Sequence, residues 1–411
     1  MQRGGLIEHL PPPLLKLALA ADRLAAKSGS RVYLVGGIVR DLMLGRPCID
    51  IDLAVEGDAV SLALQMAEKL GARPTVHRAF GTASLKIDGF SVDLATCRSE
   101  TYRRPGALPR VRPGDLQDDL KRRDFTINAM AVSINEPDRG ALTDLFGGKR
   151  DLSQGLVRVL HDKSFQDDAT RMMRAVRYEQ RLGFKLERGT AGLLRSSLDM
   201  LDTISGDRLK NELLLWLKEE DCHKVLHRAS RLGITGKLHP ALAWSREINL
   251  AFRRAASLDK INAPVLYFCL LVQNLNEDQL YELLGRLNLT GSRLDLLSSQ
   301  SLQLRDRFEA LTVQNVTRSK IYAALREYDV VAVQAAYCCA AAPGLRHNLQ
   351  LYLDTLRHAR TLLSGSDLLK MGLRQGPKLG AILNKLLAAR LDGKVRTRAD
   401  EIKLARRLAG L

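Results

Sequence analysis

A chain of 411 residues is longer than a typical single domain, so we expect roughly two to four domains. Lys and Arg total 63 against 46 Asp and Glu, and the resulting net charge of +17 is typical of proteins that handle polyanions such as nucleic acid or an anionic membrane surface. A membrane-spanning helix is not expected because no run of about eighteen apolar residues occurs, and six cysteines without a Cys-x-x-Cys spacing argue against a zinc site or a disulfide framework.

The amino-terminal part of the chain mixes helix and strand patterns. Met1–Pro13 lacks a charged start followed by an apolar run, so we expect no secretory signal and a cytoplasmic location. Amphipathic helices are predicted around Leu14–Lys27 and at Asp58–Leu70. Runs rich in β-branched residues predict strands at Arg31–Val35, Asp50–Val55, Thr82–Ile87 and Phe90–Ala95. These elements predict a compact α/β domain.

From Ser164 onward the strand signal fades and helical spacing of Leu, Ala and Arg dominates. Helices are predicted over Ala169–Gly183, Gly206–Lys218 and Asp278–Leu287, and the apolar stretch Val330–Pro343 predicts a buried helix too short to cross a bilayer. No repeat of about 20–50 residues is found. The fold class expected is an α/β head followed by an all-α remainder, with boundaries near the Gly147–Gly148 turn and Gly365.

The first cluster of chemically suggestive residues follows the first predicted strand. Gly36 and Gly37 open the next helix, where backbone N–H groups can approach a triphosphate closely, and Arg40 can add a phosphate contact. On the next strand Asp50 and Asp52 face the same side, as two oxygen ligands that share Mg²⁺ ions must. A glycine pair or an Asp-x-Asp alone is weak evidence, but their ordered combination is far less expected by chance.

Three further features extend this cluster. Asp93, in Val-Asp-Leu on a later strand, is a candidate third carboxylate, with an ordinary surface aspartate as the alternative. The run from Asp119 to Ala129 combines charges with Phe-Thr-Ile-Asn and could also be a charged helix end. Beyond it, Arg171, Arg174 and Arg177 recur every three residues on one helix face, with Asp168 a turn earlier. Surface salt bridges are one explanation of this row, and an acceptor and donors for a base edge are the other.

The first cluster, the run from Asp119 to Ala129 and the arginine row with Asp168 together resemble the class II tRNA nucleotidyltransferase and bacterial poly(A) polymerase family. The resemblance rests on the glycine pair, the Asp-x-Asp, Arg-Arg-Asp-Phe-Thr-x-Asn-Ala and the Asp-x-x-Arg signature, in that order. It is strong from Val32 to about Glu187, extends through Asp207-Arg208 and Asn211-Glu212, and returns at Gly365-x-Asp367. It implies a nucleotidyltransferase palm in a head of residues 1–155, then a neck (156–220), a body (221–350) and a tail (351–411), all helical.

The resemblance also implies roles for individual residues. Asp50, Asp52 and Asp93 are expected to be catalytic, with Asp50 and Asp52 holding two Mg²⁺ ions. Asp168 and Arg171 are expected to hydrogen-bond the Watson–Crick edge of incoming CTP or ATP, supported by Arg174 and Arg177. The segment Arg98–Gly106 lies where the family has a mobile loop needed for A addition. The remaining expected nucleotide-binding residues are Gly36, Gly37, Arg40, Arg122, Arg123, Asp124 and Asn128.

The carboxyl-terminal segment carries much of the positive charge. Residues 346–411 contain 14 Lys and Arg against 5 Asp and Glu, which is compatible either with a solvated basic face or with contacts to the phosphates of a folded RNA. With the resemblance, this segment is expected to bind tRNA through the tail cations, defined as Lys370, Arg374, Lys378, Arg396 and Arg398.

The function expected is addition of CMP and AMP to the 3′ end of tRNA, with ATP and CTP as substrates and an in-line attack assisted by two metals. Three activities remain open, namely addition of the whole CCA end, addition of only CC or A, and polyadenylation of general RNA. A fourth interpretation, a catalytically inactive RNA-binding relative, is disfavoured by the intact Asp50 and Asp52. The sequence does not indicate an oligomeric partner, and we expect no membrane partner.

Overall fold

The computed structural model describes residues 5–107, 109–258, 263–312 and 316–410. The chain divides into two compact units, Met1–Glu212 with Arg231–Lys237, and Leu213–Ser230 with Leu238–Leu411. The expected fold class is confirmed, since an α/β head precedes a mostly helical carboxyl-terminal part. The finer division into head, neck, body and tail stays a prediction.

A seven-stranded mixed sheet forms the centre of the head. The strands of the first unit are β1 (Arg31–Val35), β2 (Asp50–Glu56), β3 (Pro74–His77), β4 (Thr82–Ile87), β5 (Phe90–Thr96), β6 (Arg98–Thr101), β7 (Arg110–Pro113), β8 (Met130–Ser133), β9 (Leu142–Asp144), β10 (Leu156–Val157) and β11 (Lys185–Leu186). Their order in the main sheet is β3-β4-β5-β2-β1-β8-β9, in which β2 and β5 run parallel and the other neighbours antiparallel. The four predicted strands are confirmed as β1, β2, β4 and β5.

Helices cover the sheet and follow it along the chain. The helices up to the end of the first unit's main segment are α1 (Pro12–Ala25), α2 (Gly37–Met43), α3 (Ala59–Leu70), α4 (Leu116–Lys121), α5 (Gly148–Ser153), α6 (Ser164–Asp167), α7 (Thr170–Leu182), α8 (Arg188–Ser196) and α9 (Gly206–Lys218). The predicted helix at 58–70 begins one residue later because the Asp58 side chain caps it, accepting from the amides of Val60 and Ser61. Gly71 ends it at a positive φ of 65°.

One strand, β11, lies beyond Ser164, where the sequence predicts only helices. Gly183 ends α7 with φ 72°, and the chain then turns back so that β11 pairs in parallel with β10. This strand is two residues long, so it is too short to give an alternating pattern in the sequence. The pair joins the amino-terminal end of the predicted neck to α7, the helix that carries the row of arginines.

In the rest of the chain, the regular elements among the described residues are all helices. Its helices are α10 (Cys222–Arg231), α11 (Ile234–Leu238), α12 (Arg246–Ala256), α13 (Ala263–Leu271), α14 (Glu277–Arg286), α15 (Arg293–Arg305), α16 (Phe308–Thr312), α17 (Arg318–Leu325), α18 (Val330–Cys339), α19 (Pro343–Asp354), α20 (Gly365–Lys370), α21 (Pro377–Leu391) and α22 (Arg398–Ala409). The expected buried helix is α18, which packs against α12, α13, α15 and α19. Within the described ranges, no helix is long and apolar enough to span a bilayer. All six cysteines are free thiols.

A buried asparagine holds the strand that leads to the glycine turn. Asn135 follows β8, and its side chain accepts from the amide of Val32 at 2.8 Å and donates to the carbonyl of Val32 at 2.9 Å. The amide of Ile134, directly after β8, also donates to the Val32 carbonyl at 3.3 Å, while the Asn135 side chain supplies the acceptor for the Val32 amide. The side chain therefore fixes β1 beside β8, and with it the position of Gly36.

We expect Asn135→Ala to lower the free energy of unfolding of the head by about 1–3 kcal/mol, because the buried amide of Val32 would lose the acceptor that Asn135 provides. Chemical denaturation of the full chain and amide hydrogen exchange at β1 measure the effect. Asn135→Asp, which keeps only the acceptor, should fall between the parent and Asn135→Ala. Unchanged exchange at β1 in Asn135→Ala would contradict this role.

Candidate functional site

Three carboxylates meet on β2 and β5, two adjacent central strands of the main sheet. Asp50 and Asp52 project from the same face of β2, while Ile51 between them is fully buried in the core. In the parallel pairing of β2 with β5, Asp52 lies opposite Asp93. Asp93 accepts a hydrogen bond from the Ser84 hydroxyl, and Asp50 accepts one from the Ser91 amide at 3.3 Å. The structure thus brings the three predicted catalytic residues together, and we call them the carboxylate cluster.

Like charges lie close together in the carboxylate cluster. The Asp52 side chain keeps contact with solvent, but the surrounding protein and the negative charges of Asp93 and Asp50 raise its pKa to about 6. Arg123 and Arg40 oppose this rise only in part. Among the described residues, no three His, Cys, Asp or Glu side chains are arranged as a complete metal-binding set. Mg²⁺ commonly takes one or two carboxylates and completes its shell with water and substrate phosphates, so the oxygen donors of Asp50 and Asp52 fit that ion.

The glycine turn lies directly against an arginine. Gly36 has φ 75°, a conformation that favours glycine, and a Cβ built on it would stand 2.6 Å from Nη1 of Arg123. The Gly36 amide donates to the carbonyl of Met130 at 3.2 Å, and Gly37 begins α2. Only glycine at position 36 lets this guanidinium lie so close to the end of β1.

A buried chain of hydrogen bonds joins α2 to α7. Arg40 is bidentate on Asp41 and donates through Nη1 to the side-chain oxygen of Asn128 at 2.7 Å. Asn128 donates to Asp124 at 3.0 Å, and Asp124 in turn accepts from Nε and Nη2 of Arg174 at 3.0 and 2.7 Å. Burial disfavours the charge on Asp124, but Arg174 and the Asn128 hydrogen bond outweigh it and hold the Asp124 pKa below its usual range. Arg40, Asn128, Asp124 and Arg174 therefore form one ionised network.

A second buried acid organises the Arg-Arg pair. Asp119 is fully buried and accepts from Nε and Nη2 of Arg122 at 2.9 and 2.6 Å and from Nη2 of Arg123 at 2.8 Å. Burial would raise its pKa, yet the two guanidinium groups hold the Asp119 pKa below its usual range. Arg122 also donates to Glu100 on β6 at 3.3 Å, and Nε of Arg123 is buried without a hydrogen-bond partner.

Two arginines of the row on α7, together with Arg40 from α2, surround the ring of Tyr178. The guanidinium carbons of Arg40, Arg174 and Arg177 lie 5.2, 5.5 and 5.4 Å from the centre of this ring. Such distances allow favourable cation–π contacts with the ring. Arg174 and Arg177 also reach the carboxylate of Glu212 on α9, at 3.5 and 3.2 Å. These two arginines are thus held by protein groups on several sides.

Asp168 and Arg171, the predicted base-recognition pair, have different environments. Asp168 lies between α6 and α7, and its Oδ1 accepts from the Thr170 amide and hydroxyl and from Nη2 of Arg208 at 2.6 Å. Arg171 is buried and donates to the Ser164 hydroxyl at 2.8 Å and to the carbonyl of Arg122 at 2.7 Å. The nearest charged partner of Asp168 is therefore Arg208.

A cavity of about 400 Å³, which we call the arginine-lined cavity, collects most of these groups. It is lined by Glu100, Tyr102, Pro109, Arg122, Arg123, Asp124, Asp168, Thr170, Arg171, Arg174, Arg208 and Glu212. Six of these residues are not among the predicted site residues, namely Glu100, Tyr102, Pro109, Thr170, Arg208 and Glu212. A signal is present, because Glu100 and Tyr102 are two apart on an extended segment and Arg208 and Glu212 are four apart on a helix, so each pair faces one side.

The tail cations lie in the second unit and are all exposed. Arg398 pairs with Asp367 at 2.8 Å, and Lys378 donates to the carbonyl of Ala409 at 3.3 Å. The helices α20, α21 and α22 enclose a small apolar core of Leu363, Leu368, Ile382, Leu386 and Ala405. The role of the tail cations in binding RNA stays a prediction.

Comparison with known proteins points in one direction. Residues 32–158 match the Poly A polymerase head domain. The A-adding tRNA nucleotidyltransferase of Geobacter sulfurreducens is 36% identical over 98% of this chain and 48% of its own, and that of Halalkalibacterium halodurans is 30% identical over 95% of this chain and 92% of its own. The chain therefore spans about half the length of the Geobacter relative. The Thermotoga maritima CCA-adding enzyme solved with tRNA has a TM-score of 0.80 and 27% identity, covering 98% of this chain and 97% of that one.

We expect Asp119→Asn to lower the free energy of unfolding by about 3 kcal/mol, because it leaves the buried ends of Arg122 and Arg123 without a charged acceptor. Denaturant titration of the full chain measures this. The matched control is Asp118→Asn, one residue earlier on α4, which should stay within about 0.5 kcal/mol of the parent. Equal stability of the two variants would show that Asp119 does not organise the arginine pair.

Proposed function

We propose, because the chain belongs to the class II CCA-adding tRNA nucleotidyltransferase family, that it adds nucleotides from ATP or CTP to the 3′ end of tRNA without a nucleic-acid template. The observation that carries this proposal is the pairing of Asp52 with Asp93 beside Arg123, which also lines the arginine-lined cavity. Metal-binding carboxylates and a cavity rich in donors are thus adjacent. Solved relatives include complexes with tRNA, ATP and CTP.

Asp50 and Asp52 are proposed to hold two Mg²⁺ ions, with Asp93 beside them. Nucleotidyltransferases of this family are generally metal-dependent, and bound Mg²⁺ supplies activation of the 3′ hydroxyl and neutralisation of triphosphate charge. Burial raises the Asp52 pKa and the negative charges of Asp93 and Asp50 raise it further, so a divalent cation bound here would relieve this repulsion. Asp93 is itself bonded to Ser84, so we assign it to orienting the site and keep the metal contacts for Asp50 and Asp52.

The surrounding arginines are proposed to hold the nucleotide's sugar and phosphates. Arg122 and Arg123 line the cavity with guanidinium N–H donors beyond those bound to Asp119. Arg40, Asn128 and Asp124 are mostly engaged with each other, so their proposed part is to keep this wall rigid around the phosphates. Positioning of this kind supplies most of the catalysis in phosphoryl transfer.

The base is proposed to be recognised by protein alone. Cytosine and adenine both carry an exocyclic amino group, whereas uracil and guanine carry a carbonyl oxygen at the corresponding position. The carboxylate of Asp168 faces the cavity and can accept from that amino group, while Arg171, held by Ser164 and the Arg122 carbonyl, keeps further N–H donors for the adjoining ring nitrogen. Arg174 and Arg177 support this wall through Asp124 and Glu212.

Addition of the terminal A is the activity that the relatives favour. The Halalkalibacterium protein, which this chain matches over nearly its full length, is named A-adding, and so is the Geobacter protein. Addition of the whole CCA end is the second candidate, because the solved CCA-adding enzymes share the fold over almost the entire chain. The cytoplasmic location expected from the sequence stays a prediction.

Three tRNA transcripts separate these candidates. Ending at the discriminator base, at C or at CC, each is incubated with labelled CTP or ATP. An A-adding enzyme extends only the CC transcript and only with ATP. A CCA-adding enzyme also extends the first two transcripts with CTP, and it brings all three to the same end when both nucleotides are present. Extension of unrelated RNA by long A tracts would indicate a polymerase instead.

We expect Asp50→Asn and Asp52→Asn each to lower kcat for nucleotide addition by several orders of magnitude, with little change in tRNA affinity, because these carboxylates serve the metals and not the RNA backbone. Single-turnover extension and filter binding measure the two effects. Asp88→Asn, an exposed aspartate in the β4–β5 turn, is the control and should retain full activity. Near-parental turnover in either site variant would contradict the assignment.

The tail cations, in the segment 351–411 predicted as the tail, are proposed to contact tRNA phosphates. Replacing Lys370, Arg374 and Arg396 together by Gln should weaken tRNA binding and flatten the slope of log affinity against log salt by about 2 to 3, since each phosphate that is no longer neutralised changes the slope by about 0.7–0.9. Fluorescence anisotropy over a salt series measures the slope. Replacing the exposed Arg23, Lys27 and Lys69 of the head is the charge-matched control. An unchanged slope in the tail variant would remove these residues from RNA binding.

A further inference from the structure

Arg208 lies beside the proposed base-recognition residues but has no role in the proposal above. It lies near the start of α9, lines the arginine-lined cavity and donates through Nη2 to Oδ1 of Asp168 at 2.6 Å. Its other terminal nitrogen, Nη1, lies 3.4 Å from the carbonyl of Gly106, in the segment between β6 and β7. One guanidinium thus joins the proposed base acceptor to a surface loop.

We infer that Arg208 is a specificity-determining residue, which positions the carboxylate of Asp168 against the base and couples it to the loop that carries Gly106. This inference rests on the proposed function, since it assigns a residue to the selection of the nucleotide. Arg208 acts through Asp168, so it is a positioning residue.

The two carboxylate oxygens of Asp168 differ in their hydrogen bonds. In the part of the chain that the structure describes, the donors to this carboxylate, the Thr170 amide, the Thr170 hydroxyl and Arg208, all end on Oδ1. Oδ2 is therefore left to accept from the amino group of cytosine or adenine, and it repels the carbonyl oxygen of uracil or guanine. Selection depends on keeping the carboxylate in this orientation.

Arg208 contributes to that orientation in a way that Thr170 cannot. Both bonds from Thr170 come from a residue two positions along the chain, so they move with Asp168 when this segment shifts. Arg208 belongs to a different helix, α9, and donates a charge-assisted hydrogen bond to Oδ1 of Asp168. The side chains of Arg208 and Asp168 are 25% and 23% exposed, so this bond lies at the cavity surface where a base can meet it.

The loop is held close to Arg208 by a tight glycine contact. Gly106 has φ 73°, and a Cβ built there would fall 2.3 Å from the Thr203 hydroxyl oxygen and 2.4 Å from the Thr203 carbonyl oxygen. Only glycine lets the loop lie this close to Thr203 and present its carbonyl to Arg208. A displacement of the loop therefore alters the second anchor of the guanidinium that orients Asp168.

The first test measures nucleotide selection in Arg208→Ala. With the tRNA transcript that the parent extends, kcat/KM is determined for ATP, CTP, GTP and UTP. We expect the preference for the natural nucleotide over GTP and UTP to fall about 10- to 100-fold, the loss associated with one charge-assisted hydrogen bond. Lys210→Ala, which removes a neighbouring cation of α9 paired with Asp207, should keep the parental preference. A uniform decrease for all four nucleotides would show a merely structural role and overturn the inference.

Two further variants keep the test decisive if Arg208→Ala does not fold. Arg208→Lys retains the charge but offers one nitrogen, so it cannot hold both Asp168 and Gly106, and its preference should lie between those of the parent and Arg208→Ala. Gly106→Ala displaces the loop carbonyl and should lower the preference in the same direction, with no further loss when combined with Arg208→Ala. Parental selection in both Arg208→Lys and Gly106→Ala would overturn the inference. If the parent extends no tRNA, the proposed function itself fails, which is a distinct result.

Discussion

The ion pair between Asp124 and Arg174 is the interaction on which the site depends. It joins the segment after α4 to α7. Asp124 is buried and Arg174 is partly buried, so the Asp124 carboxylate depends on this guanidinium to remain charged. Through Asn128 the same network reaches Arg40 at the start of α2. The glycine turn and the arginine row are therefore held in one arrangement by charges that cannot be left unpaired without a large cost.

The opposite electrostatic situation exists at the carboxylate cluster. The buried acids Asp119 and Asp124 each meet guanidinium groups, which hold their pKa values down. Asp52 faces Asp93 and Asp50 instead, and its pKa rises. Acids paired with arginines support the arginine-lined cavity, whereas Asp52, which lies among like charges, is one of the two proposed metal ligands. This contrast distinguishes the structural carboxylates from the proposed metal ligands.

Selection of a base by protein requires an acceptor whose orientation is fixed before the nucleotide arrives. Buried hydrogen bonds that a wrong base leaves unpaired give stronger discrimination than differences in size. Asp168 meets this requirement because its donors converge on one oxygen and one of them comes from another helix. The contact of Arg208 with Gly106 adds a physical link by which the loop can affect selection.

The sequence by itself determined the elements with strong local signals. The strands at β1, β2, β4 and β5, the capped helix α3 and the alternation that puts Asp50 and Asp52 on one face all follow from period and from turn residues. It did not determine which charges pair, because Asp168 and Arg208 are forty positions apart and meet only when α9 folds back onto the head. The sequence also did not predict the short strands β10 and β11. Two residues carry no period, and each strand is stabilised by pairing with the other. Pairing of distant charges and pairing of short strands are decided by tertiary packing, which local sequence patterns do not encode.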